Sequence, residues 1–524
     1  MDKDSDLYEL YLTIKFIING YILWLYYNVL YIMRIKSRKT QIDVDDLVQS
    51  IQACPKGKKI KIQRHKRKAP SNSIRSSSLK TNQNTSIHFI NIGVANRILS
   101  IDKSSKTVTC EPDVTIEELV DELLPYNLLP TVIPEFKCLT IGGILAGAGL
   151  ESSSFHYGQF SDSLIEATYI LSNGQIITCS PTKDSDLFYG ALGSCGTFGV
   201  LIRATLRVLD IPSDCFVRCN YHITNQPIEN ISSFINQEDY LDAIVFLNST
   251  VIITGQRIDK LSIPKNERIQ RFSRAWDHWY YQHVKQICSK NVICEYIPLK
   301  DYLFRYDRGA FWMGRYPINP LQDKVYYFPA FTRNFLNLFP LGGYNIISRT
   351  ILSPLFTTAS LYRRLHSSST KMISDTLLIQ DIYIPISKSK GFLSFLQSGQ
   401  LFTNDDEILE PIWLCPIRSN STPQKMSPHY VETKANDQDD LFINFGMWTH
   451  QRRWQLGSSG GKNATKILEK ETKKLGGRKM LYSQSFYSRE EWSTIYDMQW
   501  YKQMKNKWDP DYIWGDLYDK IVQH

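Results

Sequence analysis

Two clusters of small residues limit how this chain can fold. The first, TIGGILAGAGLESSSFHYG at residues 140–158, holds five glycines, and the second, GALGSCGTFG, spans residues 190–199. Between them lies EATYILSNGQIITCSP, residues 166–181. This segment predicts a β-hairpin, because Asn173 and Gly174 tolerate the backbone of a tight turn and both flanks favour strands. Two stretches of nearly bare backbone therefore bracket one hairpin.

The neighbouring segments complete a small α+β domain over residues 40–212. KTVTCEP, residues 106–112, alternates like a strand, and VLIRATLRVL, residues 200–209, predicts another. Thr115 and Glu118 have the spacing of a capping box. We therefore expect IEELVDELL, residues 116–124, to form an amphipathic helix that ends before Pro125.

The first glycine cluster has two interpretations that the residues leave open. It is not a P-loop, because GK[ST] is missing, and it is not a GxGxxG that opens a helix after a strand. The glycines could serve tight packing alone, or they could present free N–H groups to an extended, phosphate-bearing cofactor. Such a ribbon would consist of Gly142, Gly143, Gly147 and Gly149, followed by the hydroxyls of Ser152, Ser153 and Ser154.

Beyond residue 212 the chain becomes aromatic and predicts a second lobe. A length of 524 residues exceeds what one hydrophobic core usually serves. Segments such as RFSRAWDHWYYQHV (271–284) and DKVYYFPAFTRNFLNLFPLGGY (323–344) supply much apolar surface. The polar stretch 419–440 predicts a loop, LFINFGMW (441–448) predicts a strand, and the C-terminus is expected to be helical.

The ten cysteines are scattered along the chain and form no CxxC pair. This pattern argues against a metal site and against a dense disulfide framework. We expect mostly reduced thiols in a protein that faces the cytosol.

An uncharged run near the N-terminus predicts a membrane anchor. FIINGYILWLYYNVLYIM, residues 16–33, is close to the roughly 20 residues that a helix needs to span a bilayer. Its acidic front argues against a cleaved signal peptide. RIKSRK, residues 34–39, follows, and the positive-inside rule then leaves the downstream chain in the cytosol. A buried or peripheral amphipathic helix is the alternative.

The basic run KGKKIKIQRHKRK, residues 56–68, carries eight Lys or Arg. A nucleic-acid-binding segment usually lies in a basic domain and has aromatic residues nearby for base stacking. Both features are missing here, so we expect no nucleic-acid partner. A solvated strand and loop beside anionic lipid head groups is the plainer interpretation.

Several motifs together resemble a known family. TIGGILAGAG (140–149), SDLFYG (185–190) and GTFGVLIRATLRV (196–208) look like the FAD-binding domain of the vanillyl-alcohol oxidase superfamily, also called the PCMH-type FAD domain. The closer resemblance is to the Δ24-sterol reductase family and covers nearly the whole chain. It rests on GLESSSFHYG (149–158), EYIPLKDYLFRYDRGAFW (295–312), QDIYIPI (380–386), PIWLCP (411–416), MLYSQSFYSREEW (480–492) and YDKI (518–521).

The resemblance implies an α+β flavoprotein of the endoplasmic reticulum membrane that saturates the C24=C25 double bond of a sterol side chain. It implies non-covalent FAD, with NADPH as the electron donor. The expected organisation is a membrane anchor with its basic flank over residues 1–39, a two-subdomain FAD-binding domain over 40–212, and a substrate-binding cap domain over 213–524. The sequence does not indicate an oligomeric state.

The resemblance also implies the site residues. The candidate cofactor-binding residues are Pro134, Glu135, Thr140, Ile141, Gly142, Gly143, Gly147, Gly149, Glu151, Ser152, Ser153, Gly158, Ser194, Cys195, Gly196, Thr197, Gly199 and Val200. An isolated alkene must be protonated before it accepts a hydride, so the site also needs an acid. The candidate proton donors are Glu151, Tyr157, Lys300 and Tyr306, with Tyr302 also considered.

One departure from the superfamily pattern stands out. The first Gly-rich phosphate loop is replaced by QRHKRKAPSN, residues 63–72, which contains no glycine. Basic side chains would then neutralise the FAD pyrophosphate instead. Two alternatives remain open: another flavin oxidoreductase of the superfamily acting on an alcohol or sugar lactone, and a membrane-anchored scaffold that has lost its flavin.

Overall fold

The computed structural model describes most of the chain. It covers residues 43–63, 87–92, 95–235, 237–290, 292–315, 346–353, 356–365, 377–401, 409–419, 424–430, 441–450 and 460–522, with Ile18, Ile22, Leu25 and Val29. The glycine-free basic loop and the aromatic segment 323–344 therefore lie outside the described residues, apart from residue 63.

The first subdomain is a helix beside two parallel strands. Its elements are α1 (Val44–Gln52), β1 (Lys59–Gln63) and β2 (Ile87–Asn91). Helix α1 begins at Asp43, whose side chain accepts the Asp46 N–H at 3.0 Å. Leu47 and Ile51 are buried on the face that packs against Ile60.

The second subdomain is an antiparallel sheet with short helices around it. Its strands are β3 (Ile98–Asp102), β4 (Thr107–Cys110), β5 (Leu128–Pro130), β6 (Leu164–Ile170), β7 (Ile176–Cys179) and β8 (Val200–Asp210). The order is β3-β4-β8-β6-β7, and β5 also pairs with β8. The helices are α2 (Ile116–Leu123), α3 (Ile141–Ala146), α4 (Ser154–Tyr157) and α5 (Ser185–Ala191). Together the two subdomains form the first lobe.

Two local predictions are confirmed in this sheet. Thr115 and Glu118 form the expected capping box at the start of α2. Strands β6 and β7 form the expected hairpin, and Gly174 takes a positive φ of 83° in its turn. Asn173 instead accepts the Gln175 N–H through its side chain at 2.9 Å.

The second lobe is built on an eight-stranded antiparallel sheet. Its strands are β9 (Cys215–Thr224), β10 (Tyr240–Phe246), β11 (Ser249–Asp259), β12 (Cys294–Pro298), β13 (Leu377–Pro385), β14 (Ile412–Arg418), β15 (Leu441–His450) and β16 (Arg478–Lys479). They lie in the order β12-β9-β11-β10-β14-β15-β13-β16. A strand over 441–448 was expected, and β15 confirms it. Since β10 is central and buried along its whole length, any polar side chain on it is held inside the protein.

Helices cover the second lobe and form the C-terminus. They are α6 (Pro227–Phe234), α7 (Tyr280–Lys290), α8 (Leu299–Leu303), α9 (Ile346–Leu352), α10 (Thr358–Leu365), α11 (Ile386–Gln397), α12 (Gly460–Lys474), α13 (Arg489–Ile495), α14 (Met498–Trp508) and α15 (Leu517–Ile521). One buried cluster runs from the six-stranded sheet of the first lobe into the aromatic residues of the second. The mixed α+β character expected from the sequence is confirmed.

The last helices return to the first lobe. Trp514 is buried in the cluster that holds Leu47 and Ile60, and the Ile60 N–H donates to the Ile513 carbonyl at 2.8 Å. On α14, the ring of Tyr501 packs edge-on against Phe198. Residues 498–522 are thus in contact with the first lobe, although the expected division of the chain groups them with the cap domain.

The predicted membrane segment, residues 16–33, lies outside the described residues except at four positions. Ile18, Ile22, Leu25 and Val29 are helical and exposed. Elsewhere among the described residues, none of the helices has the length and apolar character needed to cross a bilayer. None of the ten cysteines is in a disulfide.

Candidate active site

A cleft opens at the junction of the two lobes. Its walls come from the loop after β5, from residues 151–157, from the ends of β10 and β11, and from the turn after α8. The cleft is narrow, and the space that a water molecule can occupy in it is about 10 Å³. Among its lining groups are Glu151, Ser152, Ser153, Tyr157, Arg257 and Arg305. Four of these six, Glu151 to Ser153 and Tyr157, were expected site residues.

A buried ionic cluster forms the base of the cleft. Arg305 Nη1 lies 2.8 Å from Glu151 Oε1, and Arg305 Nη2 lies 3.1 Å from Asp242 Oδ2. Asp242 Oδ2 also accepts the Tyr306 hydroxyl at 2.7 Å and the Trp413 indole N–H at 2.9 Å. All of these residues are buried, so the charges have one another as partners in place of water.

Tyrosine rings surround the guanidinium of this cluster. The Arg305 Cζ atom lies 4.0 Å from the centroid of Tyr302, 4.6 Å from Tyr306 and 5.2 Å from Tyr280. Ring faces attract cations, and the attraction is stronger where water is excluded. The cleft base is therefore a dry environment that already holds one positive charge against aromatic rings.

Two carboxyl groups at this junction have altered acidity. Burial raises the pKa of Glu151 to about 7; Arg305 acts in the opposite direction, and the charge of Asp242 adds to the rise. Burial also raises the pKa of Glu135 well above its ordinary value, and the nearby charge of Glu151 adds to it. Glu151 is thus a carboxyl group that can be protonated near neutral pH.

The aromatic residues of the second lobe mostly pack against each other. The ring of Phe311 stacks on Tyr306 at 4.5 Å between centroids. Phe136 meets Phe311 edge-on at 5.4 Å and Trp448 at 5.6 Å. These aromatic residues therefore form mainly the hydrophobic core. Only the ring faces that do not pack in this core can line the cleft.

The expected ribbon of free N–H groups is not formed, because residues 141–146 are helical. Thr140 caps the helix and accepts the Gly143 N–H at 3.3 Å. The Gly142 N–H donates to the Pro112 carbonyl at 2.8 Å, and the Gly147 N–H donates to the Gly143 carbonyl at 3.0 Å. Three of the four glycine N–H groups that the sequence suggested for a cofactor are thus bonded within the protein.

Some of these glycines are required by packing. A Cβ atom on Gly142 would lie 2.7 Å from Pro112 Cβ, and one on Gly149 would lie 2.5 Å from Ile144 Cγ2. On Gly199 it would lie 2.7 Å from the Ile170 carbonyl oxygen. Tight packing, the first of the two interpretations, therefore applies to these positions.

Other glycines face outward as bare backbone. A Cβ atom on Gly196 would meet no described atom within 4 Å, one on Gly143 would approach only Thr140 Oγ1, and one on Gly147 only the Gly143 carbonyl. Gly143 is exposed, and Gly147 and Gly196 are half-buried. The two glycine clusters also meet, because the Cys195 N–H donates to the Ala146 carbonyl at 2.7 Å.

This bare surface fits an extended cofactor such as FAD. At Gly143, Gly147 and Gly196 no Cβ atom would stand between a flat or chain-like ligand and the backbone. The contacts among expected cofactor residues keep the loop in shape: Ser194 donates to Ala191 at 2.7 Å and Thr197 donates to Ser194 at 3.0 Å. Pro134, Ile141 and Val200, which were also expected to bind the cofactor, are buried.

The candidate proton donors lie in different places. Glu151 and Tyr306 belong to the ionic cluster, whereas Tyr157 is exposed at the mouth of the cleft. Lys300 does not reach the cluster, because its ammonium pairs with Asp121 at 2.6 Å on the surface. Burial, followed by the charge of Asp242, raises the pKa of Tyr306 well above its ordinary value, so its phenol is a weak acid.

Sequence reasoning missed Asp242, Tyr280 and Trp413. Asp242 had a usable signal, because it is the only charged residue in the otherwise apolar run YLDAIVF. A charge inside a buried strand needs a partner, and Arg305 supplies it from 63 residues along the chain.

Comparisons with known proteins agree with this architecture. Residues 72–180 match a family model described as FAD binding domain. The Delta(24)-sterol reductase of Homo sapiens is 28% identical over 85% of this chain and 78% of its own length. A Delta(24)-sterol reductase homolog of Caenorhabditis elegans is 25% identical over 81% and 77%, and the Arabidopsis thaliana enzyme is 26% identical over 64% and 58%.

The similarity therefore extends well beyond the matched domain into the second lobe, in animal and plant proteins alike. The resemblance inferred from the motifs is confirmed. The chain is similar to Delta(24)-sterol reductases over most of its length and carries an FAD binding domain in its first lobe.

Proposed function

We propose that this protein is an FAD-dependent oxidoreductase that uses NADPH to reduce the C24=C25 double bond of a sterol side chain. The observation that carries the proposal is similarity to Delta(24)-sterol reductases over 85% of the chain, together with the FAD binding domain. The alternative of an oxidase for alcohols or sugar lactones has no comparable support, and neither has a scaffold without flavin.

The first lobe provides the surface for the cofactor. The bare backbone at Gly143, Gly147 and Gly196 would lie against FAD, and Ser152 and Ser153 in the cleft wall would also contact it. FAD, once reduced by NADPH, supplies the hydride for the reaction. The protein's own contribution is to hold the alkene, deliver a proton and exclude water.

We assign proton delivery to Glu151. Its pKa of about 7 leaves a substantial protonated fraction at neutral pH, as a general acid requires. Once the proton has moved to C24, the carboxylate that remains faces the Arg305 guanidinium at 2.8 Å. The ion pair thus stabilises the product of proton transfer.

The substrate then carries a tertiary cation at C25 until it accepts a hydride. The rings of Tyr240 and Tyr302, with centroids 4.9 Å apart, line the cleft beside Glu151. Their faces would stabilise a transient positive charge, and the lack of water would prevent its capture as an alcohol. The apolar lining residues Leu129 and Leu303 suit an aliphatic side chain.

A membrane location is also part of the proposal. The uncharged run 16–33 and the basic flank 34–39 support a single anchor in the endoplasmic reticulum membrane, with the main body in the cytosol. A sterol is itself dissolved in membranes, so an anchor would hold the enzyme where its substrate is found.

Expression in cells that lack Δ24 reduction tests the function. We expect sterols with an unsaturated side chain to decrease and their saturated counterparts to increase. The Glu151→Gln variant, expressed to the same level, should leave the profile unchanged. Persistence of the alkene with the wild-type chain would refute the proposal.

A further inference from the structure

Two lysines near the end of the chain bind the loop 193–197 of the second glycine cluster, although they lie about 300 residues further along the sequence. Lys505 Nζ donates to the Thr197 carbonyl at 2.7 Å, and Lys520 Nζ donates to the carbonyls of Cys195 at 3.4 Å and Gly196 at 3.2 Å. Lys505 is itself fixed by an ion pair with Asp509, in which both side chains are fully buried. Three consecutive carbonyl groups of the loop thus face the C-terminal segment.

This arrangement fixes the direction of the donor groups on the loop. In a trans peptide the N–H points away from the C=O of the same unit. Because the Cys195 carbonyl faces Lys520, the Gly196 N–H points to the opposite side. No described protein acceptor receives that N–H, and a Cβ atom on Gly196 would also find open space.

The loop does not have this shape by local preference. Cys195 has a φ of 54° and Gly196 a φ of 71°, and a left-handed conformation is unfavourable for a cysteine. Tertiary contacts must therefore hold it. The Cys195 N–H bond to Ala146 provides one such contact, and the Lys520 bond to the Cys195 carbonyl provides another.

We propose that Lys520 is a positioning residue for FAD, which orients the Cys195–Gly196 peptide so that the Gly196 N–H binds an oxygen of the cofactor. The inference rests on the proposed function, since it takes FAD as the ligand. It makes the segment 498–522 part of the cofactor site. The Gly196 N–H would then serve as a backbone donor to the cofactor in a chain whose first phosphate loop has no glycine.

FAD titration of the purified full-length protein tests this role. Quenching of flavin fluorescence gives the dissociation constant for the wild type, Lys520→Ala, Lys520→Met and Lys520→Arg. Lys507→Ala is the matched control, because Lys507 lies in the same segment but pairs with Asp186 on the surface at 2.5 Å. Thermal unfolding without FAD reports on the fold of each variant.

We expect Lys520→Ala and Lys520→Met to weaken FAD binding about tenfold, as the loss of a charged hydrogen-bond donor predicts. Lys520→Arg should restore most of the affinity, and Lys507→Ala should match the wild type. At saturating FAD, kcat should stay within about twofold of the wild type, since Lys520 acts on binding alone. If Lys520→Ala fails to fold, Lys520→Met tests the inference in its place, because methionine retains the apolar part of the lysine side chain.

Two negative results have different meanings. If the wild type binds FAD, and the folded Lys520→Ala and Lys520→Met variants bind it equally well, this inference is overturned and the proposed function is left intact. Absence of FAD binding by the wild type itself would overturn the proposed function and this inference together.

Discussion

Arg305 and Glu151 form an ion pair across the junction of the two lobes, with 2.8 Å between Nη1 and Oε1 and side-chain exposures of 0% and 4%. Glu151 comes from the first glycine cluster, between α3 and α4, and Arg305 from the turn after α8. The pair therefore joins the cofactor lobe to the substrate lobe at the point where the cleft ends. The proposed chemistry depends on this contact.

Replacement of Glu151 by Gln should abolish proton delivery. We expect kcat to fall by about a hundredfold to ten-thousandfold, the usual contribution of a general acid. Steady-state sterol reduction with purified protein measures the change. Glu295→Gln is the control, because Glu295 pairs with His283 at 2.7 Å in the second lobe and lies outside the cleft lining. Activity of Glu151→Gln close to that of the wild type would assign the proton to another donor.

The acidity of Glu151 predicts how the rate depends on pH. The acid must be protonated to act, and its pKa is about 7. The rate should therefore be constant in mild acid and should decrease about tenfold per pH unit above the pKa. A profile of kcat against pH with saturating sterol, FAD and NADPH measures this. A flat profile through neutral pH would contradict the assignment.

Arg305→Met should destabilise the folded protein strongly. It leaves the buried carboxylates of Glu151 and Asp242 without a countercharge, which costs about 3 to 5 kcal/mol. Denaturant unfolding measures the free energy. Arg489→Ala breaks an exposed pair with Asp519 and should cost less than about 1 kcal/mol. Equal, small effects from both variants would show that the buried pair does not stabilise the fold.

The two kinds of glycine should respond differently to alanine. Gly142→Ala forces a Cβ atom to 2.7 Å from Pro112 Cβ, so we expect a loss of about 1 to 3 kcal/mol in stability. Gly143→Ala meets only Thr140 Oγ1 and should change stability by less than about 1 kcal/mol. Its methyl group would instead stand on the bare surface and weaken FAD binding. Denaturant unfolding measures the effect on stability, and FAD titration measures the effect on binding. Unchanged FAD affinity in Gly143→Ala would argue that FAD does not bind at this bare surface.

Much of the local structure follows from the sequence because short-range rules determine it. The capping box at Thr115 and the turn at Gly174 involve residues within a few positions of each other. Helix α3 was missed, because two glycines disfavour a helix that Thr140 capping and contact with Pro112 nevertheless stabilise. Such tertiary contacts have no local signature.

The candidate site was harder to predict for the same reason. Glu151, Asp242 and Arg305 come from three distant segments, and only folding shows that they share one buried space. Lys300 lies five residues from Arg305 in the same motif, yet it points to the surface and pairs with Asp121. A motif thus identifies the neighbourhood, and packing determines which of its residues take part.

The proposed topology predicts the glycosylation state. Sequons at Asn230, Asn248 and Asn463 are exposed, so they would be accessible to glycosylation in the lumen of the endoplasmic reticulum. With the main body in the cytosol they should carry no glycan after expression in eukaryotic cells. Treatment with an N-glycosidase should leave the electrophoretic mobility unchanged. A shift in mobility would contradict the cytosolic orientation.

An anaerobic turnover with purified, FAD-loaded protein tests the central claim most directly. NADPH should bleach the flavin absorbance, and addition of a sterol with a C24=C25 double bond should restore it while a saturated side chain forms in equal amount. The account would be contradicted if the sterol failed to reoxidise the reduced flavin and only the later admission of oxygen did so.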